Sequence, residues 1–219
     1  FLTSSSSEDN QAERRRKAAL FKNWRDWPLL LNLAESPLER RIFGFLSEHP
    51  EDFVRALQSI PEEEVAMLYA AFQSHLWNES LRRLIRKKVP VYTEVSGREG
   101  DYFFWPGLDA ETFSYLVALE IPTASPKMEF ADDLSRSIFD EILKERGLSP
   151  GSFRTRALRR VYFRSFQRKA LVIPGELDVL SSGMDELHPG KKKWTFSFLL
   201  PRGSYGTMLI KRLSLKPAG

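Results

Sequence analysis

The sequence predicts an α/β chain of the α+β kind, helix-rich over most of its length, with strands concentrated toward its C-terminal end. Three observations predict it. Between residues 63 and 88, Val65, Leu68, Tyr69, Phe72, Leu76, Trp77, Leu81, Leu84 and Ile85 recur at the three- and four-residue steps of one helix face. Between 193 and 200, Trp194, Phe196, Phe198 and Leu200 alternate with Thr195, Ser197 and Leu199 at the two-residue step of a strand. An apolar fraction of 42% beside 28% charged residues describes an ordinary folded protein rather than a disordered one.

Residue 1 is Phe, and the Ser-rich opening lacks the basic start and apolar core of a signal peptide, so residues 1–18 are read as a flexible tail. A basic, Ala-containing stretch at 13–22 begins a helix within the segment 19–60, and Trp24, Trp27 and the leucines of 29–33 form an apolar patch that must dock. Ser36-Pro37-Leu38-Glu39 offers a capping box: a hydroxyl to accept an exposed amide, with a glutamate placed to reach back. Its helix should run to about residue 47. Pro50 starts a shorter one over 51–59, and Pro61 separates it from the central helix. Three glutamates open that central helix and five basic residues close it, the charge order favoured by a helix dipole.

Beyond Lys88 the composition turns β-prone, with Gly97 and Gly100 as turn signals and 102–105 as a buried strand. Residues 109–119 form a helix starting near Thr112, and 120–126 a Pro-punctuated connection. The stretch 132–146 is amphipathic, with Gly147 as its C-terminal stop. A short strand over 169–173 ends at Pro174-Gly175, and 177–180 pairs with 193–200 in a longer sheet. Pro201-Arg-Gly-Ser is a sharp turn, and 207–213 continues as helix or strand.

Composition excludes much. There is no cysteine, so neither disulfides nor thiol chemistry contribute, and the cytoplasm or another reducing intracellular compartment is compatible with the chain. The longest apolar runs, around 29–33 and 116–121, fall well short of the ~20 residues of a membrane span. His49, His75 and His188 are scattered, and His75 with Glu79 one helical turn on lacks a third metal ligand. Phosphate-loop, dinucleotide and nucleophile-elbow patterns are missing. The residues by themselves name no catalytic group.

The net charge of +4 says less than its distribution. Arg154, Arg156, Arg159, Arg160, Arg164, Arg168 and Lys169 fall in 154–169 without an acid, and Lys191 to Lys193 form a second block. Such clusters are the footprint of a polyanion-binding surface, and equally of a plain solvated face. Phe153, Tyr162, Phe163 and Phe166 interleave with the first block. Exposed, they stack on bases; buried, they are core, the reading favoured for Phe163 and Phe166. Gln73 and Asn78, set among Phe72, Leu76 and Trp77, are read as amides stitching two elements together.

Three separated segments resemble one family. Leu68-Tyr-Ala-Ala-Phe-Gln-Ser-His-Leu-Trp-Asn-Glu-Ser-Leu is similar to the Q-S-x-L-aromatic-N helix of the TruD-type pseudouridine synthases. Gln167-Arg-Lys-Ala-Leu-Val-Ile-Pro-Gly-Glu-Leu resembles their R-R-x-L/M-x-x-x-P-x-x-L stretch. Phe198-Leu-Leu-Pro-Arg-Gly-Ser-Tyr-Gly-Thr-Met-Leu-Ile-Lys-Arg resembles their F-x-L-P-x-G-S-aromatic-A-T-x-x-aliphatic-R-E strand. The three stand in the family's order at comparable separations.

The resemblance implies an enzyme that isomerises uridine to pseudouridine within RNA, typically tRNA, by breaking the N-glycosidic bond, turning the base and rejoining it through carbon without metal or cofactor. It also implies a mixed-sheet catalytic domain interrupted by a helix-rich insertion, with substrate in the cleft between. Residues 61–167 would be the insertion and 168–219 the returning catalytic strands. RNA-binding roles then fall to Arg164, Arg168, Lys169, Arg202, Ser204 and Tyr205, with a core position the other reading of Tyr205.

The family's G-x-K-D and N-x-x-G-x-Q-R-F-G motifs do not occur here, and Lys-Asp is not found at all. The nucleophilic aspartate is therefore expected outside this chain, which alone should be inactive, with the family's N-terminal catalytic segment as a partner; the other reading is a non-catalytic RNA-binding module derived from such an enzyme. Gly107-Leu-Asp-Ala-Glu-Thr is similar to the G-R-L-D-x-x-T motif of other pseudouridine synthases without its arginine, and Asp109 is read as a turn or cap residue. In the last motif Gly206, Lys211 and Arg212 replace Ala, Arg and Glu.

Overall fold

Short helices fill the first sixty residues because each carries its own start signal. In the computed structural model, which describes residues 9–97, 100–158 and 161–215, α1 (Gln11–Lys22) is capped by the Asn10 side chain, which accepts the amide of Glu13. Asp26 caps α2 (Trp27–Asn32), and Asp52 caps α4 (Phe53–Gln58). The predicted capping box opens α3 (Pro37–Glu48): Ser36 Oγ accepts from the Glu39 amide at 3.1 Å, and the Glu39 carboxylate accepts the Ser36 amide at 3.1 Å.

The long helix α5 runs Glu62–Lys88. It is followed by β1 (Thr93–Val95), β2 (Tyr102–Phe104), α6 (Ala110–Ala118), β3 (Glu120–Pro122) and α7 (Asp133–Glu145). A 3-10 turn (Pro150–Phe153) precedes β4 (Gln167–Lys169), β5 (Gly175–Met184), β6 (Lys192–Leu199) and α8 (Gly206–Ser214). The strands form three antiparallel pairs, β1 with β2, β3 with β4 and β5 with β6, so the architecture is α+β.

The molecule divides into two compact units. The described residues up to Trp77, with Thr123–Met128 and those of Ile142–Ser165, form the first; those of Asn78–Pro122, with Glu129–Glu141 and those from Phe166 onward, form the second. In the first, Leu20, Trp27, Leu30, Ile42, Phe43 and Leu46 build a continuous core that Tyr69, Leu158 and Val161 extend. Trp27 stacks beside Phe43 and meets Phe53 edge-on, so of the expected apolar patch Trp27 and Leu30 dock while Trp24, Leu29 and Leu33 stay exposed. In the second, Leu84, Val89, Phe104, Leu116, Ile121, Ile138 and Phe139 are buried.

Several expectations are corrected. Helix α1 begins at Gln11, inside the stretch read as tail. Arg16 holds it there, donating to both carboxylate oxygens of the buried Glu39 at 2.6 Å. The Ser-rich residues 1–8 lie outside the described residues, as do Arg159 and Arg160. The connection after α6 contains β3, whose Ile121 sits opposite Arg168. Accordingly the strand expected over 169–173 is found two residues earlier, because it follows its partner rather than its own composition. Of the strand at 102–105 only Phe104 is buried. The longer sheet expected near the C-terminus is, among the described residues, the single β5–β6 ribbon.

The buried stripe of α5 follows the expected face except at one turn. Val65, Leu76, Trp77, Leu84 and Ile85 are buried as expected and Gln73 and Ser80 join them, while Phe72 is 37% exposed. At this turn the Gln73 amide is the group with partners inside, the Ala124 and Arg164 carbonyls.

Candidate nucleic-acid interface

In the first unit the basic segment after the 3-10 turn is pinned by aromatic residues that point inward at intervals. Phe153 is buried and meets Phe163 edge-on at 5.2 Å, and the Phe163 ring lies parallel on Tyr69 at 4.1 Å. With those side chains committed to packing, Arg154, Arg156 and Tyr162 between them are exposed. The backbone is held too. Gln58 donates to the Ala157 carbonyl at 2.8 Å, and Gln73 donates to the carbonyls of Ala124 and Arg164, both at 2.7 Å. Thr123 adds a third bond, its hydroxyl donating to the Arg164 carbonyl at 3.2 Å. Gln73 therefore stitches elements together, as its setting suggests.

The result is an open cleft of about 570 Å³ lined by Pro126, Phe153, Arg154, Arg156, Tyr162 and Phe163 among others. At its rim the Arg164 guanidinium lies over the Tyr162 ring at 5.0 Å and donates from Nε to the phenol oxygen at 3.0 Å. Phe163 is half-buried, in line with a core role, but Phe166 is 56% exposed and is not core.

The other sequence-predicted binding residues belong to the second unit. Arg168 and Lys169 are neighbours on β4, Arg168 half-buried and Lys169 exposed, and Gln167 ties the strand to the Glu129 carbonyl at 2.8 Å. Arg202, Ser204 and Tyr205 share the turn after β6. There the Ser204 amide donates to the Pro201 carbonyl at 3.1 Å, and Gly203 adopts the left-handed backbone (φ +87°) that closes the turn. Tyr205 is 63% exposed, so it is not a core aromatic. Helix α8 follows at once, with Lys211 over the Tyr102 ring at 4.2 Å and Arg212 donating to the Trp105 carbonyl at 2.9 Å. The basic pair that replaces Arg-Glu in the motif thus has partners of its own.

The β5–β6 ribbon between these sites is mostly uncovered. Val179 sits opposite Phe196, and Val179, Leu180, Trp194 and Leu199 are each more than half exposed. Each strand has one partner among the described residues, leaving an open backbone edge. Sequence pattern identified the alternation but not this exposure, which depends on what else is present to cover it.

Acid groups with perturbed titration serve structure. Burial works to raise the Glu39 carboxyl, but hydrogen bonds from the Ser36 and Glu35 amides and from Arg16 hold it below the usual carboxylate range. Glu79 is likewise held low by Arg83 and Arg82, at 3.0 and 3.2 Å, against the opposing effect of burial. Asp109 is the N-cap of α6, its carboxylate accepting the amide and hydroxyl of Thr112, which lower its pKa. Tyr115 is pushed up to about 12 by burial and the nearby Asp132. His75 Nε2 stands 3.3 Å from the Arg146 guanidinium. Among the described residues no group of three or more His, Asp or Glu is placed to hold a metal ion, and no helix is long and apolar enough to cross a membrane.

Comparison with known proteins adds four findings. The family model described as tRNA pseudouridine synthase D (TruD) matches residues 1–105 and 109–213. A protein of Methanocaldococcus jannaschii named "Probable tRNA pseudouridine synthase D 2" is 33% identical over 207 residues, 91% of this chain and 48% of its own length. The tRNA pseudouridine synthase D of Leptospira interrogans is 29% identical over 222 residues, 98% of this chain and 54% of its own. A crystal structure from Methanosarcina mazei assigned to TruD superposes with a TM-score of 0.68 over 93% of this chain and 50% of that one, at 22% identity, a likeness of fold. The chain spans about half the length of the relatives it matches.

Proposed function

The chain belongs to the tRNA pseudouridine synthase D (TruD) family, and on that premise we propose that it serves the isomerisation of uridine to pseudouridine in tRNA or another RNA. It contributes the scaffold and the groups that hold RNA, and the nucleophilic aspartate comes from polypeptide outside residues 1–219. One observation carries this reading: the β5–β6 ribbon presents apolar side chains and open backbone edges to solvent, an arrangement two strands alone rarely sustain. A further segment that pairs with or covers the ribbon would supply what is missing. The lack of any Lys-Asp pair in the sequence agrees with an attacking carboxylate contributed from elsewhere.

In this reading Arg164, Arg168, Lys169 and Arg202 meet phosphates, which position an RNA without reading its sequence. Ser204 and the turn amides approach the ribose-phosphate chain, and Tyr205 forms a wall for a base. Residues 61–167 act as the insertion and 168–219 as the returning catalytic strands. The cytoplasm, where tRNA is found and thiols stay reduced, is the matching compartment.

The test has two arms. Binding of tRNA by this chain should weaken steeply as salt is raised, because phosphate contacts release counterions. Release of tritium from 5-tritiated uridine in tRNA should appear only when an aspartate-bearing N-terminal half of a relative, such as the Methanocaldococcus jannaschii protein, is supplied. Failure to bind tRNA at low salt would refute the proposal. Binding with no activity under any complementation would leave the chain as an RNA-binding module.

A further inference from the structure

The cleft of the first unit has a composition that packing alone does not explain. Its floor is apolar and fixed, since Phe153 and Phe163 are locked against each other and against Tyr69. Its rim carries Arg154 and Arg156, both exposed and, among the described residues, without an acidic partner. No acid occurs anywhere in 154–169. Tyr162 lines the same cleft and is 56% exposed, with its hydroxyl taken by the Arg164 guanidinium.

We propose that this cleft is a subsite for one unpaired nucleotide of the bound RNA, distinct from the groups of the second unit. The base stacks on the Tyr162 face turned toward the cleft, and Arg154 and Arg156 hold the phosphates on either side. The inference rests on the reading that RNA is the ligand, and adds which residues take a single-stranded portion of it.

Three features favour a nucleotide over an acidic peptide. The open cleft sets an apolar floor of Phe153 and Phe163 beneath a rim of Arg154 and Arg156, which suits a flat base between phosphates. The flat phenol ring, held at its hydroxyl by the Arg164 guanidinium, offers a stacking platform that any base fits and a carboxylate does not use. The Arg164 carbonyl is fixed by Gln73 and Thr123, so the backbone beside the ring is held in place before any ligand binds.

The experiment uses the full chain and a short oligouridylate carrying 5-iodouridine. Photocrosslinking to the unsubstituted protein should attach the oligonucleotide at Tyr162, which requires no variant to fold. In fluorescence anisotropy Tyr162→Ala should weaken binding about tenfold, while Tyr162→Phe, which keeps the ring, stays within about twofold. The Arg154→Ala/Arg156→Ala double variant should lower the slope of log affinity against log salt by roughly 1.4, two single-strand phosphates. Melting temperatures of all three should match the parent, since each side chain is exposed.

If the oligonucleotide binds but crosslinks elsewhere, with the Tyr162 and arginine variants unchanged, the subsite is wrong and the proposed function stands. If polyglutamate displaces the oligonucleotide equally from the parent and Tyr162→Ala, the cleft is a charged surface without a base site, which also overturns the inference. Absence of any binding to tRNA or oligouridylate at low salt would remove both.

Discussion

The side-chain amide of Gln73 donates to the backbone carbonyl of Arg164 at 2.7 Å, joining the middle of α5 to a residue 91 positions later. The same nitrogen also serves the Ala124 carbonyl, so one buried amide satisfies two loops. A carboxylate of identical shape has no proton to give at neutral pH. Gln73→Glu should therefore destabilise the chain more than Gln73→Leu at pH 7, by about 1–3 kcal/mol beyond it, and the gap should narrow on acidification. Urea midpoints of the two variants at pH 7 and pH 4.5 check this.

Arg16 and Glu39 form a second long-range tie, with side chains only 17% and 7% exposed. The Glu39 carboxyl is held below its unfolded value, so the stability it contributes is present above about pH 4.3 and is lost as pH falls through the folded value. Arg16→Met removes one partner of a buried pair and should cost about 3 kcal/mol at pH 7. The difference from the parent should shrink below about pH 4, read from denaturant unfolding at stepped pH. A constant difference would show that Arg16 acts through packing alone.

Arg164 and Arg168 are offered as phosphate contacts on different units. Arg164→Ala with Arg168→Ala should weaken tRNA binding several-fold and flatten its salt dependence, with far-UV circular dichroism unchanged. Equal affinity of parent and double variant at low salt would remove both residues from the interface.

The uncovered ribbon should make the chain self-associate. Val179→Lys with Trp194→Lys places two charges on its exposed apolar residues and should lower dye binding and sedimentation-detected association. The same variant should block complementation by an N-terminal half of a relative. If association persists unchanged, the sticky surface lies elsewhere.

Two glycines near the last turn should respond in opposite ways. At Gly203 the backbone is left-handed, and Gly203→Ala should cost about 1 kcal/mol although no atom lies within 4 Å of the added carbon. At Gly206, the first residue of α8, the added carbon meets Phe198 at an ordinary 3.7 Å. Gly206→Ala, which restores the residue of the family motif, should leave stability unchanged or raise it by about 0.5 kcal/mol. Thermal melts of the two variants decide it.

What the sequence alone determined were the features whose hydrogen bonds close within a few residues. The capping box of Ser36 and Glu39, the Asp109 cap, the Gly147 stop and the turn at Pro201 are local bargains between a side chain and the nearest backbone. The three motifs sufficed for the family, because each is a contiguous string. Tertiary structure decided what depends on a distant partner: that α1 docks through Arg16 on the buried Glu39, that β4 forms where β3 can pair with it, and that the Gln73 amide is buried against the Ala124 and Arg164 carbonyls. It also chose among the aromatics of the basic segment, sending Phe153 and Phe163 into packing and leaving Tyr162 and Phe166 outside. Phe153, Phe163 and Phe166 are chemically identical, so only the shape of the space beside each ring could separate them, whereas the Tyr162 hydroxyl takes its hydrogen bond at the surface.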